Sequence, residues 1–404
     1  MLVDIHAHVI PGALDPVGKR EEHRGPRVRP CDDEHARLLE TDRMQFKAAD
    51  AFYSAERRLE EMEASGVDAE VVSPMPPLLD YELSGEEGLE LSRRVNEFIA
   101  ELCRTAPERL LGMAMLPLQA PDLAAAELAA VTELGLRAVE IASNVQGRSL
   151  HEDRFEEFWA EAERLQVPIF VHGMPSDFGG RVPPGLLAVA GFAVGTDAGL
   201  AATSIVCGGV AERHPELRLA FSHGAGGFPM ILPRANYFWG KTWNEEPSAE
   251  GEGVSPAELA KRFFYDGLVM DGRALRYLID LMGHRQVLVG SDFPAMPREQ
   301  PCARTLRSLE LAPEALEEIT WHNAFRFLGI EPPQLIAPGA ATSTTGVTPR
   351  RPEPQSSEAP GSPGRSPSSS STSRRRTRSS SVSWPVASAT PTSTSGKAGR
   401  IAIR

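Results

Sequence analysis

The sequence has little cysteine, and what it has is dispersed. Cys31, Cys103, Cys207 and Cys302 are the only four in 404 residues, and no two stand in a CxxC spacing. That argues against a disulfide framework and against a thiolate zinc site. The N-terminus shows no basic segment followed by an apolar core, because His6 interrupts the only candidate. No apolar run is expected to reach the roughly 20 residues that a spanning helix needs. Positive charge is also short: 42 Lys and Arg face 55 Asp and Glu, a formal net charge of -13. This balance gives no general reason to expect a nucleic-acid or membrane surface. It does not exclude a small anionic substrate, since a basic pocket can lie inside an acidic protein. A reducing, cytoplasmic setting is the default expectation.

What is present divides sharply near Pro332. Before it lie almost all the long apolar segments of a chain that is 41% hydrophobic and 24% charged, enough for one large or two medium domains. After about Ala337 the chain turns to Thr, Ser, Pro, Gly and Arg, as in SPGRSPSSSSTSRRRTRSSSVS. Such a stretch cannot bury enough surface to offset its ordering entropy. The expected organisation is a folded domain over 1–333 and a disordered tail over 334–404. The tail's basic cluster, Arg374 to Arg376 with Arg378, is the one place where an acidic surface or nucleic acid could be met. The simpler reading is a solvated tail with no part in chemistry.

The folded part repeats one rhythm. A short β-rich segment ends in polar or small residues, and a helical stretch follows. The expected strands are LVDIHAHV at 2–9, AEVVSPM at 69–75, LLGMAML at 110–116, RAVEIAS at 137–143, VPIFVHG at 167–173, LRLAFSHG at 217–224, a weaker FFYDGL at 263–268, and QVLVGSD at 286–292. Between them lie amphipathic helices such as AERRLEEMEASG, ending at Gly66, DLAAAELAAVTELG, ending at Gly135, and DRFEEFWAEAERLQ. Eight strands alternating with helices predict an α/β fold of the (β/α)8 TIM-barrel type. A doubly wound sheet is the alternative on pattern alone, but no GxGxxG follows the first strand. The segment from Asp15 to about Phe46 reads as an insertion after strand one, an irregular loop or small flap over the mouth.

The polar residues fall where such a fold places its chemistry, at the C-terminal ends of the strands. Strand one carries His6 and His8, which alternation turns to one side, with Asp4 beside them. Strand five ends in His172, strand six in His223 and strand eight in Asp292. One histidine ending a strand is ordinarily a satisfied polar residue. Neutral nitrogens plus one anionic oxygen, gathered here from four separate strands, are what a borderline cation such as Zn2+ takes. Mn2+, Fe2+ and Co2+ are the other candidates. The remaining histidines lack this setting. His23 and His35 lie in the insertion, His151, His214 and His284 in helix or loop contexts, and His322 in a terminal helix beside Asn323, a candidate loop brace.

On these motifs the sequence resembles the metal-dependent amidohydrolase superfamily, and more narrowly its aminocarboxymuconate-semialdehyde decarboxylase branch. The likeness runs from residue 1 to about 330. It rests on DIHAHVIP, RRLEEMEASGVDAEVVSPMP, RLLGMAMLPLQAPDLAAAEL, FVHG, GGVAERHPELRLAFSHGAGGFP, VLVGSDFPA and HNAFRFLG. The resemblance implies that His6, His8, His172 and Asp292 are metal ligands and that His223 is the catalytic histidine beside the metal. It implies that Arg234, in PMILPRAN, binds a substrate carboxylate across the interface of a homodimer. Two family arginines are replaced here, one by Lys47 in MQFKAADAF and one near Thr242, with Lys241 beside it. Gly173-Met174-Pro175 stands where the family decarboxylase has Pro-Trp-Asp. Lysine keeps the charge but loses the two-pronged fit to a carboxylate.

The activity implied is metal-dependent, non-oxidative decarboxylation of a small unsaturated or aromatic carboxylic acid. The same core could instead attack a carbonyl, with Asp292 as proton acceptor, and hydrolyse an amide or lactone. It could hydrate the double bond of an unsaturated dicarboxylate. A non-catalytic metal-bearing scaffold is a fourth reading, opposed by the cost of burying so complete a polar set.

Overall fold

Eight segments rich in aliphatic and β-branched residues become eight parallel strands. The computed structural model describes residues 1–18, 25–42, 44–176, 178–240 and 253–332. The strands are β1 (Val3–Val9), β2 (Ala69–Pro74), β3 (Leu110–Met115), β4 (Ala138–Ala142), β5 (Ile169–His172), β6 (Leu219–Phe221), β7 (Phe264–Asp266) and β8 (Val287–Leu288). Each pairs with its neighbour in sequence order and all run parallel. The ring closes where β8 returns to β1: Ile5 N donates to Val289 O at 2.9 Å, and His8 N donates to Phe293 O at 2.7 Å. This is the expected (β/α)8 barrel, with every one of the eight strands found within its expected segment.

The strands are buried nearly throughout, and several carry continuous apolar runs, whereas β1, VDIHAHV, alternates apolar and polar residues although all seven are buried. The helices that cover them bury one face. In α1 (Gly85–Arg104), Leu91, Val95, Ile99 and Leu102 face inward at helical spacing, and Ser84 with Glu87 forms a reciprocal cap at its start. The preceding helix, Ala55–Ser65, starts at Ser54, whose side chain accepts from Arg57 N at 3.2 Å, and stops at Gly66 in the left-handed conformation. Asn323 near the C-terminal end donates to the carbonyls of His284 at 2.8 Å and Val287 at 2.7 Å. It braces the entry to β8, as its position beside His322 suggested.

Two expectations need correction. The insertion after β1 is more ordered than a loop. Its described part forms a three-stranded antiparallel sheet of Arg27–Pro30, Ala36–Glu40 and Gln45–Ala49. Val28, Ala36, Leu39, Phe46 and Ala48 are its buried residues, and the short pattern they make is masked in sequence by charged neighbours. Among the described residues there is also one apolar helical stretch of 22 residues, Leu186–Cys207, which by length and composition alone is long enough to cross a membrane. Its single carboxylate, Asp197, is buried and accepts from Ser143 Oγ and Asn144 Nδ2, each at 3.0 Å, and from Ser176 N at 2.8 Å. Those bonds tie the stretch to the ends of β4 and β5. The proposed tail, 334–404, and with it Arg374 to Arg376 and Arg378, lies outside the described residues.

Gly226 shows how closely the mouth is packed. It follows β6 with φ 53°, and a Cβ added there would overlap the carbonyl oxygen of Gly195. Gly66 is also left-handed, at φ 72°, but has no atom within 4 Å of an added Cβ. Replacing Gly66 by Ala should cost only the left-handed strain, about 1 kcal/mol. Replacing Gly226 by Ala should cost clearly more in chemical denaturation. Equal losses would show that the Gly195 contact relaxes freely.

Candidate metal centre

β1 sets the first half of the site. A register irregularity between Asp4 and Ala7 interrupts its pairing with β2. His6 and His8 still project to one side, with their Nε2 atoms 3.1 Å apart. β5 ends on His172, whose ring centroid lies 5.0 Å from that of His6 and 5.1 Å from that of His8. The turn after β8 brings in Asp292, whose Oδ1 is 2.9 Å from His8 Nε2 and 3.6 Å from His6 Nε2. One donor atom from each of His6, His8, His172 and Asp292 lies within 4.8 Å of the other three, and all four residues are buried. The sequence pattern anticipated this convergence of residues as far apart as His6 and Asp292; Asp4, beside the histidines in sequence, turns away toward Ser291 and Arg298.

The far nitrogen of each ring is already engaged. His6 Nδ1 meets Asp266 Oδ2 at 2.6 Å. His8 Nδ1 lies 3.1 Å from Pro74 O and 3.2 Å from Ser73 Oγ. His172 Nδ1 lies 3.0 Å from Gly173 O. Carboxylate and carbonyl oxygens only accept, so these contacts place the proton on Nδ1 and leave a lone pair on each Nε2. Three lone pairs and a carboxylate then face one another in a buried space. His172 Nε2 is buried without a hydrogen-bond partner, and so is Nε2 of His223. This donor set fits a divalent cation in the zinc class, with N and O ligands, and the unpartnered nitrogens are what such a cation would satisfy.

Electrostatics points the same way. Burial alone would depress the His6 pKa, but the Asp266 hydrogen bond and the charges of Asp292, Asp266 and Glu140 raise it to about 9. The surroundings of His6 therefore favour positive charge at this point. His172 is pushed well below its ordinary value by burial and by the neighbouring imidazoles. Burial would raise Asp292, yet the His8 hydrogen bond and the charges of His6 and His8 hold it far below the carboxylate range.

His223 sits on a sharp turn after β6, with φ 53° and ψ 36°. Its ring lies 5.2 Å from those of His6 and His172. Burial lowers its pKa, although the Asp266 charge works in the opposite sense. A neutral imidazole with an unpartnered nitrogen beside the cluster can take or give a proton.

The basic residues are placed differently. Lys47 is exposed on the insertion sheet, with Nζ 2.9 Å from Asp33 Oδ2. Arg234 is exposed on α2 (Phe228–Phe238), its guanidinium 5.0 Å from the Phe238 ring centroid. Neither belongs to the four-residue cluster. Lys241, Thr242 and His23 lie outside the described residues. His35 is exposed, and His214 is a structural pin, with Nε2 2.9 Å from Glu156 and Nδ1 3.1 Å from Glu163.

Two acidic residues were missed in the sequence. Asp266 ends β7, as the histidines end their strands, and both its oxygens are used: Oδ2 by His6, and Oδ1 by Gly224 N at 3.0 Å and Leu268 N at 3.1 Å. FFYDGL carried that signal, a carboxylate at a strand end. Glu140 on β4 is fully buried, its Oε2 3.9 Å from His8 Nδ1, and burial raises its pKa. Nothing in RAVEIAS marks it apart from the isolated charge in an apolar strand.

Comparison with known proteins bears on the same region. The profile of the Amidohydro_2 family, described as amidohydrolase, matches residues 3–330. A 2-amino-3-carboxymuconate-6-semialdehyde decarboxylase of Dictyostelium discoideum is 29% identical over 339 residues, covering 82% of this chain and 92% of the relative. A gamma-resorcylate decarboxylase of Rhodococcus jostii is 31% identical over 260 residues, covering 59% of this chain and 76% of the relative. Among solved structures, a 5-carboxyvanillate decarboxylase of Novosphingobium aromaticivorans, complexed with manganese and 4-hydroxy-3-methoxy-5-nitrobenzoic acid, aligns with a TM-score of 0.60. It is 21% identical, and the alignment covers 70% of this chain and 82% of that one.

The His6–Asp266 pair gives a measurable consequence. Below about pH 9 the ion-free site keeps a proton on His6, so taking up a divalent ion at pH 7 must expel it. Calorimetry in buffers of different ionisation heat should show about one proton released, with affinity falling as pH falls. Replacing Asp266 by Asn should weaken ion affinity roughly 10- to 100-fold and reduce the proton release. Unchanged affinity and release would remove Asp266 from any role in orienting His6.

Proposed function

The chain belongs to the amidohydrolase family, and from that premise we propose that it is a metal-dependent carboxy-lyase. It removes CO2 without redox change from a small unsaturated or aromatic carboxylic acid. The observation that carries this reading is the convergence of His6, His8, His172 and Asp292 on one buried point, with the unpartnered Nε2 of His223 beside them. The decarboxylase relatives supply the reaction class.

In this reading His6, His8, His172 and Asp292 hold one divalent ion. When bound, the ion supplies Lewis-acid polarisation of a substrate oxygen and acidifies a water. Zinc is preferred for this mixed nitrogen and oxygen donor set, and manganese, bound in the Novosphingobium enzyme, is the alternative. The chain's own contribution is to hold charge and move one proton. The bond from the substrate carbon to its carboxylate breaks, and its electron pair stays with that carbon. A proton takes the vacated position and CO2 leaves. His223 handles that proton at Nε2, its ring fixed by the turn after β6. Asp292 stays ionised beside the imidazoles, which keeps it available to the ion.

Substrate carboxylates need cations, and Arg234 offers one on an exposed helix. Around it Met230, Ile231, Tyr237 and Phe238 are exposed, as are Leu187 and Phe192 on the apolar stretch Leu186–Cys207. Apolar exposure on this scale supports a contact with a second copy of the chain. In a homodimer Arg234 of one protomer would serve the other's site, with Lys47 or Lys241 adding charge. Four unpaired thiols support a reducing, cytoplasmic setting.

Elemental analysis should find about one zinc or manganese ion per chain, and release of CO2 from a dihydroxybenzoate or aminocarboxymuconate-type acid should require it. Replacing His223 by Ala should keep the metal and lower turnover roughly 10^2- to 10^4-fold. Metal loss in that variant would make His223 a ligand and not the proton carrier. Metal without turnover on any such acid would refute the lyase reading. Co-expressing His223→Ala with Arg234→Ala chains should restore one working site per mixed dimer, whereas no recovery would refute the shared-site role of Arg234.

A further inference from the structure

Behind the cluster lies a second group of buried charges. Arg298, six residues past Asp292, is only 7% exposed. Its Nη2 meets Asp4 Oδ2 at 3.1 Å and also Glu70 Oε1. Its Nη1 donates to Ser65 Oγ at 3.2 Å and its Nε to Ser291 Oγ at 3.3 Å. Arg58, fully buried on the helix Ala55–Ser65, donates from Nη1 to Glu70 Oε2 at 2.5 Å and from Nη2 to the His8 carbonyl. Both guanidinium groups lie over the Phe293 ring, at 4.2 Å and 5.7 Å. Two carboxylates and two guanidinium groups balance in charge. A buried ion cluster of this kind is a weak source of stability, since apolar replacements are often neutral or better. Its local effect calls for a different account.

Arg58, Asp4 and Ser291 each hold a backbone atom of a proposed ligand or of its immediate neighbour. Arg58 takes the carbonyl of His8. Asp4 accepts from Ser291 N at 3.1 Å and from Ser291 Oγ, on one side of Asp292. Ser291 Oγ accepts from Phe293 N at 3.3 Å, on the other side. Asp292 itself has φ 58°, a left-handed conformation that costs a non-glycine residue about 1–2 kcal/mol. Such a residue persists where its surroundings over-determine it. Asp292 N is also held, donating to His6 O at 2.8 Å.

We propose that Arg298, through Asp4, Glu70 and Ser291, is a positioning residue that fixes Asp292 and His8 for metal binding. This rests on the reading of His6, His8, His172 and Asp292 as the ligands. The clamp acts on ligand geometry and not on the fold as a whole.

The test uses full-length protein stripped with a chelator and titrated with Co2+, whose visible absorption reports ligand geometry. Ser291→Ala and Arg298→Met should weaken Co2+ binding roughly 10- to 100-fold and alter the absorption band. Ser291→Ala should keep the far-ultraviolet dichroism of the wild-type apoprotein. Arg298→Lys, which keeps the charge but not the fork, should recover part of the affinity. If Arg298→Met fails to fold, Ser291→Ala and Arg298→Lys carry the test. Wild-type affinity and spectrum in both of these variants, with Co2+ lost from a His172→Ala control, would overturn the clamp alone. Wild-type Co2+ binding by His172→Ala would instead overturn the ligand reading, and the clamp with it.

Discussion

Three imidazoles with their outer nitrogens already committed leave three lone pairs facing a carboxylate in a largely buried space. That constraint governs the rest of the molecule. Like lone pairs repel, and a buried carboxylate without a counter-charge is costly. The arrangement is tolerable only with a cation at its centre, either a shared proton or a metal ion. The raised pKa of His6 is the proton form of that solution. The pairing of His6 with Asp266 decides which nitrogen faces inward, so a residue that never touches the centre selects the form of the ring that does.

The barrel supplies the donors from strands that are distant in sequence, and irregular backbone does the final aiming. His223 and Asp292 both adopt positive φ at the ends of their strands. A regular strand continuing through these positions would alternate its side chains across the wall. Bending sharply at the rim turns them inward instead. The cost of that bending is met nearby, at Asp292 by the hydrogen bonds of Ser291 and Phe293 and at the turn after β6 by Asp266, which accepts from Gly224 N.

Much of this was legible in the residues. Eight β-rich segments alternating with amphipathic helices have few solutions, and the polar residues on strands one, five, six and eight named the cluster. What stayed hidden shares a physical cause. Asp266 and Glu140 are single carboxylates in short apolar strands, and one-dimensional patterning does not say which face they take. Asp4 stood beside the histidines in sequence yet faces the Arg298 cluster across the irregular register of β1. The insertion sheet was obscured because its buried positions, Val28, Ala36, Leu39, Phe46 and Ala48, are spread over three short strands separated by charged residues. The helix from Leu186 to Cys207 escaped notice because Thr196 and Asp197 break its apolar run in print, whereas in space Asp197 is buried in hydrogen bonds.

The seam between β8 and β1 has a consequence for synthesis. β8 is the shortest barrel strand, only Val287–Leu288, and the closing bonds reach from Ile5 and His8 to Val289 and Phe293. The barrel's first strand therefore waits, with one edge unsatisfied, for the segment that follows β8. During that interval His6 and His8 are exposed to any passing metal without Asp292 to complete their company. The order of translation itself makes the nascent chain a half-built chelator, and a cell that makes this protein has reason to shield the emerging edge until its tail end arrives.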